Sequence, residues 1–452
     1  MNLPIWMYWE GDKPEWIKDC HRSIFDHGED VRLLTPADFD KLRDRDRDID
    51  LSQFCIAHRA DFIRAFLVSR FGGVWIDSDC IAMRSLQPLI DKLDDHDLFA
   101  FRERSGNISN SFIGARQGSR IAQAYYDEIC EIIRSGRPIE WQTIGAHALD
   151  TAIRRAGVRW HEIDVSLIQP VCWSKPEAFF MTRDTTGHMQ VFNEPSFCYM
   201  LSGNMTNGFM AQHPGRDLLE DGTFFNFLLK ISADRKLLSY LEKIAFRKNT
   251  DDDMWIIPEL VEHDMYKVKN VLRQYEPPYK SYVLDCGAHI GAFSIMCSLY
   301  LRDVEIFSFE PNPESFYYLS QNAGRLRNVT AFNKAVDVKE GVLQLFAPDD
   351  EAWTGRWSVS PNSNRSIDVE AVNLNAFIKS LDGPVFILKL DLEGYEELIL
   401  NEFCEEALAA VKIMVIETHR DFLDHQRLMA SGFQLLFRPE ISTHRQFIYI
   451  RN

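Results

Sequence analysis

The sequence has no excess of positive charge, no paired cysteine motif and no long apolar run, and each absence removes a class of function. Its 50 lysines and arginines stand against 67 aspartates and glutamates, a formal charge of -17. A protein that grips a phosphate backbone needs clustered cations, so nucleic acid is excluded as the main partner. The nine cysteines are scattered with no C-x-x-C pair, which argues against a zinc site or a disulfide framework and fits a reducing cytoplasm. No stretch approaches the roughly 20 apolar residues that span a bilayer. Met1 runs almost directly into Pro4-Ile5-Trp6 without the basic and apolar regions of an export signal. The expected location is cytoplasmic, with no transmembrane segment.

What is present is a 452-residue chain, 46% hydrophobic and 26% charged, long enough for two domains with a core each. From residue 3 to about 230 the pattern alternates: strand at 5–9, helix at 16–25, strand at 31–34, long helix at 54–71, strand at 74–77. Residues 236–253 predict a helix that turns into a charged junction, with the boundary near 245. From about 280 the alternation restarts as a doubly wound pattern: strand 282–285, helix 293–301, strand 305–309, helix 314–324. Val385 to Leu390 and Val411 to Ile416 read as strands buried on both faces, and 433–437 with 446–450 as a closing antiparallel hairpin. The sign-alternating run Arg43-Asp44-Arg45-Asp46-Arg47-Asp48 predicts a solvated loop or helix start without function. The fold class is α/β in two domains, 1–245 and 246–452.

In the first domain, Asp77 and Asp79 stand two apart at the end of an apolar strand. Hard oxygen ligands with open positions suit Mg²⁺ or Mn²⁺, and such an ion stabilises a diphosphate leaving group. Gly72-Gly73 stops the preceding helix and turns the backbone straight into that strand, so the helix residues Asp61 and Arg64 are held against the Asp77-Ser78-Asp79 turn. These two share a helical face, where they are either a surface ion pair or a carboxylate and a guanidinium presented to sugar hydroxyls. The Gly-Gly turn favours the second reading. Trp9, at the end of the first strand, is either a nucleobase platform or a core residue.

This segment resembles the DXD-containing glycosyltransferases of family 32, the capsular polysaccharide synthesis type, and more distantly the clostridial glucosylating toxins. The resemblance rests on Trp6 to Gly11, His58 to Arg64 and Phe71 to Asp79. It implies a GT-A nucleotide-sugar fold and a donor that is a nucleotide sugar, UDP-sugar first. It also implies that Asp61 and Arg64 contact the donor sugar, that Asp79 binds the metal, that Asp77 binds ribose or metal, and that Trp9 stacks on the base. By the same resemblance Asn110 to Ala115 lines the acceptor side, Gln142 to Gly145 is an acceptor loop, His213 lies near metal or phosphate, and transfer retains anomeric configuration.

In the second domain, Asp285-Cys286-Gly287-Ala288-His289-Ile290-Gly291 follows a strand and opens a helix, so its glycines permit a tight turn and close backbone approach to a ligand. Glu310 ends the next strand, where a carboxylate accepts ribose hydroxyls. These residues, with Asn312, with Asn333 to Val336, with Leu388 to Glu396 and with Ile416 to His419, resemble the FkbM type of class I S-adenosylmethionine-dependent methyltransferase. The resemblance implies a Rossmann-like fold, cofactor contacts from Asp285, Gly287, Gly291, Glu310 and Asn312, and methylation of a hydroxyl. His289 stands where asparagine is commoner. An alcohol needs a base or an orienting group near the sulfonium methyl. Asp391 or His419 is that base, with Glu393 and Glu417 lining the acceptor, and Lys389 is expected on the other strand face, pairing with Glu393 or Glu417. The combined expectation is a bifunctional enzyme acting on a glycan or polysaccharide. A methyltransferase with a glycan-binding N-terminal domain and a non-enzymatic scaffold are the alternatives.

Overall fold

Strand β1 (Ile5–Tyr8) is buried at every position, because it sits inside a sheet with a core on each face. Ile5 and Met7 join one cluster, together with Val74 and Ile76, while Trp6 and Tyr8 join the other with Trp75. That is the period of two expected of a strand covered on both sides. The computed structural model describes residues 3–182, 191–193, 195–220, 222–234, 237, 240–241, 244–247, 253, 274–348, 357–361, 364–419, 425–437 and 445–451. The chain divides into two compact units, Met1–Leu238 and Ser239–Asn452.

Unit 1 is built on a six-stranded sheet in the order β2-β1-β3-β6-β5-β7, where β2 is Val31–Leu34, β3 Gly73–Ile76, β5 Leu98–Arg102, β6 Ile108–Ala115 and β7 His161–Ile163. Strands β4 (Cys80–Ala82) and β8 (Cys198–Met200) form a separate antiparallel pair. The helix Ile56–Phe71 is buried almost continuously from Asp61 to Ser69 and ends at Gly72. Gly72 and Gly73 adopt φ of 69° and 103°, and a Cβ on Gly73 would stand 2.3 Å from the Pro4 carbonyl oxygen. Only glycine lets the helix end press against β1 there. The indole N–H of Trp6 donates to the Gly72 carbonyl at 2.8 Å and locks the turn.

The sign-alternating run is the expected loop, exposed at Asp44, Arg47 and Asp48, but it is docked at Arg43, Arg45 and Asp46. Arg43 is buried and donates to the Ile49 carbonyl at 2.9 Å, Arg45 lies over the Tyr126 ring at 4.4 Å, and Arg134 reaches Asp46 at 2.6 Å and Asp48 at 3.0 Å. The run docks because the guanidinium groups of Arg43 and Arg45 lie over Phe62, Phe66 and Tyr126, while Asp46 and Asp48 accept from Arg134.

Unit 2 carries a seven-stranded sheet in the order β11-β10-β9-β15-β16-β18-β17. Here β9 is Ser281–Cys286, β10 Val304–Phe309, β11 Val329–Phe332, β15 Val385–Leu390, β16 Val411–Thr418, β17 Phe433–Phe437 and β18 Arg445–Arg451. The run from β11 to β16 is parallel, and β18 pairs antiparallel with both β16 and β17. A smaller sheet joins β12 (Ala335–Asp337), β13 (Gly341–Phe346) and β14 (Ser366–Asn373). The order is doubly wound and reverses between β9 and β15, the crevice where such sheets bind ligands. The division at Leu238/Ser239 lies ahead of the expected 245. Tyr240 Oη donates to the Asn322 carbonyl at 2.9 Å and the Ala245 N–H to Asn322 Oδ1 at 2.8 Å, bonds made within unit 2. Most of the helix expected over 236–253 lies outside the described residues.

Candidate active sites

In unit 1 the crevice lies between β1 and β3, neighbours that run parallel. The Ser78 hydroxyl donates to the Tyr8 carbonyl at 2.9 Å, so the Asp77-Ser78-Asp79 turn is pinned to the end of β1 beside Trp9. Arg64 Nη2 sits 3.1 Å from Asp77 Oδ1 and 3.6 Å from Asp61 Oδ1, with its guanidinium over the Trp75 ring at 5.1 Å. The Trp75 indole donates to the same Asp77 oxygen at 2.7 Å. Asp61 also accepts from Asn110 Nδ2 at 2.7 Å. Asp79 Oδ2 accepts from the Gly203 N–H at 2.6 Å, at the start of the helix Gly203–Gln212.

Three carboxylates therefore share one guanidinium. Burial raises the Asp61 and Asp77 carboxyls above their usual range, although Arg64 pulls both down. Asp79 is pushed up to about 7, first by burial and then by the charge of Asp77. Arg64 is held charged: burial opposes it, and Asp77 and Asp61 more than compensate. A divalent cation fits this donor set, since it meets half-buried hard oxygens that carry more negative charge than Arg64 balances.

The structure brings together Asp61, Arg64, Asp77 and Asp79, with Trp9 next in the chain to the Tyr8 carbonyl that holds the turn, and it sets Asn110, Gly145 and Gly203 against the carboxylates. Asn110 holds Asp61, and the Gly145 loop closes on it: a Cβ on Gly145 would stand 3.2 Å from both Asp61 oxygens. Both segments had been expected only to face the acceptor. Gly203 carried no signal, because its contact with Asp79 spans well over a hundred residues. Trp9 is half-buried, its N–H donates to the Gly11 carbonyl at 3.2 Å, and its edge meets His21 at 5.9 Å.

His213 is corrected. It is exposed, its ring stacks on Phe209 at 4.2 Å and its Nδ1 meets the Phe209 carbonyl at 2.9 Å. Gly203, which touches Asp79, begins the ten-residue helix that His213 caps, so the rise along that helix, about 15 Å, lies between the backbone of His213 and the Asp79 contact.

In unit 2 the glycine loop is shaped by close approach. Gly287 has φ 81°, and a Cβ there would lie 1.7 Å from the Asp391 carbonyl oxygen. Glu310 follows β10 and accepts from the backbone N–H of His289 at 2.8 Å and of Asn312 at 2.9 Å. Burial lifts its carboxyl to about 7 despite His289 and those donors. Two expected cofactor contacts have other work. Asp285 is fully buried, accepts from Ser294 Oγ at 2.6 Å and pairs with Lys389 at 3.2 Å, which places it beneath the loop. The Asn312 side chain accepts from the Glu314 N–H at 2.9 Å as the cap of the helix Pro313–Ala323.

Lys389 is also corrected. It lies on the same strand face as Asp391, two residues on, and its ammonium contacts Asp391 at 3.3 Å, Asp285 at 3.2 Å and the Gly287 carbonyl at 2.7 Å. Residues two apart in a strand share a face, so these are close partners of Lys389, and Glu417 remains within its electrostatic reach. Glu393 and Glu417 face His419 Nε2, at 3.3 and 4.0 Å, with Asp391 at 3.9 Å. Glu396, unassigned in the sequence, meets His419 Nδ1 at 3.2 Å and accepts from the N–H groups of Leu392 and Gly394. Burial alone would lower the His419 pKa, but Glu396, Asp391 and Glu393 raise it to about 9. Burial and then Asp391 push Glu417 up to about 7. Ligand atoms of Asp391, Glu393 and His419 lie within 4.8 Å of one another, and the imidazolium supplies that cluster with its own positive charge.

Among the described residues no helix is long and apolar enough to cross a membrane. The family described as capsular polysaccharide synthesis protein matches residues 1–135, and the methyltransferase FkbM domain matches residues 285–448. Hexuronic acid methyltransferase AglP of Haloferax volcanii is 28% identical over 137 residues, 30% of this chain and 54% of the relative, so the chain spans about half that protein's length. Methyltransferase sdnD of Sordaria araneosa is 24% identical over 221 residues, 42% of this chain and 80% of the relative. Among solved structures, PaToxG glycosyltransferase aligns at 13% identity over 34% of this chain and 69% of that one, with a TM-score of 0.27. The two family matches thus fall one in each unit, the capsular polysaccharide synthesis family in unit 1 and the methyltransferase FkbM domain in unit 2.

Proposed function

We propose that the chain is a bifunctional enzyme: unit 1 transfers a sugar from a nucleotide-sugar donor to a glycan acceptor, and unit 2 methylates a sugar hydroxyl with S-adenosylmethionine. The observation that carries the reading is that each unit gathers buried and half-buried carboxylates around a buried cation beside its sheet crevice.

In unit 1, Asp77 and Asp79 would hold Mn²⁺ or Mg²⁺ through oxygens other than those bonded to Arg64 and Gly203. When bound, the ion neutralises charge on the diphosphate leaving group. Asp61, fixed by Asn110 and Arg64, accepts from a donor-sugar hydroxyl. Arg64 keeps its charge beside the leaving group because Asp61 and Asp77 stabilise it. Trp9 offers a face to the base of the nucleotide, and a uridine diphosphate sugar is the first donor to test. The family resemblance supports retention of configuration.

In unit 2 the cofactor supplies an electrophilic methyl on a sulfonium. Glu310, oriented by two backbone donors, accepts from the ribose. His419 holds its proton at neutral pH, so the base is Asp391, and His419 orients the acceptor as a hydrogen-bond donor. The relative named as a hexuronic acid methyltransferase supports a sugar as acceptor. Asp391, Glu393 and Glu417 repel a carboxylate, which favours a hydroxyl as the methylated group.

The test incubates purified protein with Mn²⁺ and a panel of nucleotide sugars, and measures nucleotide release. Release from one donor, lost in Asp79→Ala, supports the transferase. Absence of release with every donor, while methyl transfer persists, would leave a methyltransferase with a glycan-binding first unit.

A further inference from the structure

Asp253 has 0% exposure and lies ahead of the matched span 285–448. Its carboxylate accepts from Arg247 three times: from the backbone N–H at 2.7 Å, from Nε at 2.8 Å and from Nη2 at 2.7 Å. Its Oδ1 also lies 3.1 Å from His289 Nε2. Burial alone would raise this carboxyl, and His289 with Arg247 instead holds it down to about 2. Arg247 continues to Ser315 Oγ at 3.1 Å and to Glu314 at 3.5 Å, on the helix that follows Glu310.

His289 is the loop residue whose N–H orients Glu310, and it does so from φ 50°, a left-handed conformation that a non-glycine residue keeps only when its surroundings hold it. The next residue is tied from the same segment. Asn322, fully buried, donates to the Ile290 carbonyl at 2.8 Å and to the Ala245 carbonyl at 2.9 Å, while accepting from the Ala245 N–H at 2.8 Å. Two consecutive loop residues are therefore anchored to residues that precede β9 in the chain, His289 through Asp253 and Arg247 and Ile290 through the Asn322 amide to Ala245.

A buried ionic network is a poor way to gain stability, because desolvation consumes most of the Coulombic return, and apolar packing would serve a merely structural joint as well. What it does supply is direction. Arg247 and His289 both have to close on Asp253 for its charge to be tolerated, and that closure sets the ring, hence the backbone, of His289. Glu310 then has each oxygen committed to one N–H, from His289 and from Asn312, leaving the carboxylate plane set before any diol arrives.

We propose that Arg247, Asp253 and Asn322 are positioning residues for the adenosine half of the cofactor, extending the cofactor site of unit 2 into the segment before β9. The inference rests on the reading of unit 2 as an S-adenosylmethionine site. The test uses the full chain and measures binding of S-adenosylhomocysteine by calorimetry for wild type, Asp253→Asn, His289→Asn and the double variant, with thermal unfolding alongside. Each single variant weakens binding about tenfold, the size expected for one hydrogen bond to a charged group. The double variant is no weaker than Asp253→Asn, because both act through one contact. Asparagine tolerates the left-handed conformation and keeps the N–H to Glu310, while its shorter side chain stops short of Asp253. His289→Asn therefore decides the matter even where Asp253→Asn fails to fold. Variants that bind like wild type, or losses that add in the double variant, overturn the inference alone. A wild type that binds no S-adenosylhomocysteine overturns the cofactor reading of unit 2 together with it.

Discussion

The two acidic strand ends of this chain solve one electrostatic problem in opposite ways. In unit 1, Asp61, Asp77 and Asp79 face the single guanidinium of Arg64, and Asp79 is left with a carboxyl near 7. In unit 2, Asp285, Asp391, Glu393, Glu396 and Glu417 face two side-chain cations, Lys389 and a His419 raised to about 9. The first site leaves a positive charge to be brought by a ligand, and the second carries most of its own. That difference suits the chemistry proposed for each. A departing diphosphate is an anion that an arriving metal stabilises, whereas methyl transfer begins from a sulfonium that is itself a cation.

The comparison breaks most visibly at Asp79. Asp79→Ala is expected to lower metal-dependent nucleotide release about a thousandfold and to leave methyl transfer by unit 2 intact, which parallel assays on one preparation will show. A small effect on release would mean that unit 1 does not depend on a bound cation, and the contrast with unit 2 would fall.

Lys389 tests the other side. Lys389→Met strands Asp285, which has 0% exposure, and is expected to cost about 3–5 kcal/mol, the range seen when one partner of a buried pair is removed. Urea unfolding followed by a probe in unit 2 measures it. A change below about 1 kcal/mol would mean that Asp285 is not left as an unpaired charge when the lysine is removed.

His419 sharpens the comparison through pH. Its pKa is raised from 6.5 to about 9 on folding, so its contribution to stability is present in full below about pH 6.5 and is lost as pH rises through 9. The stability difference between wild type and His419→Gln is expected to shrink over that window by up to about 3 kcal/mol. A flat difference from pH 6 to 10 would show that the imidazole is neutral in the folded protein. It would return His419 to the role of base.

The smallest effect is expected at His213. His213→Ala should change stability by less than about 0.5 kcal/mol and leave nucleotide release unaltered, since the ring is exposed and stacked on Phe209. Loss of metal-dependent release would place it back beside Asp79.

Local signals were legible where one short segment carries the whole arrangement. Gly72-Gly73 spelled a helix end pressed on a strand, and the positive φ values of both residues and the approach of Pro4 bear out that reading. The apolar runs of β15 and β16 announced strands covered on both faces, and their polar ends announced a crevice. The orientation of Lys389 was legible too, since a spacing of two puts it beside Asp391, and the expectation of the opposite face misread that period. The alternating run at 43–48 is the loop its pattern announces, but sign alternation says nothing of the aromatic rings that Arg43 and Arg45 come to cover.

By itself the sequence determined the α/β alternation, the division into two units, and the acids and glycines that end the strands, because hydrophobic period, turn chemistry and strand-end polarity are properties of neighbours along the chain. Tertiary structure alone decided which charges meet. Asn110 holds Asp61, Gly203 caps Asp79, Glu396 turns His419, and Asp253 reaches His289. None of these pairs is local in the chain, and a buried charge takes whichever partner the packed core delivers to it, since leaving it unpaired costs more than any local preference can return.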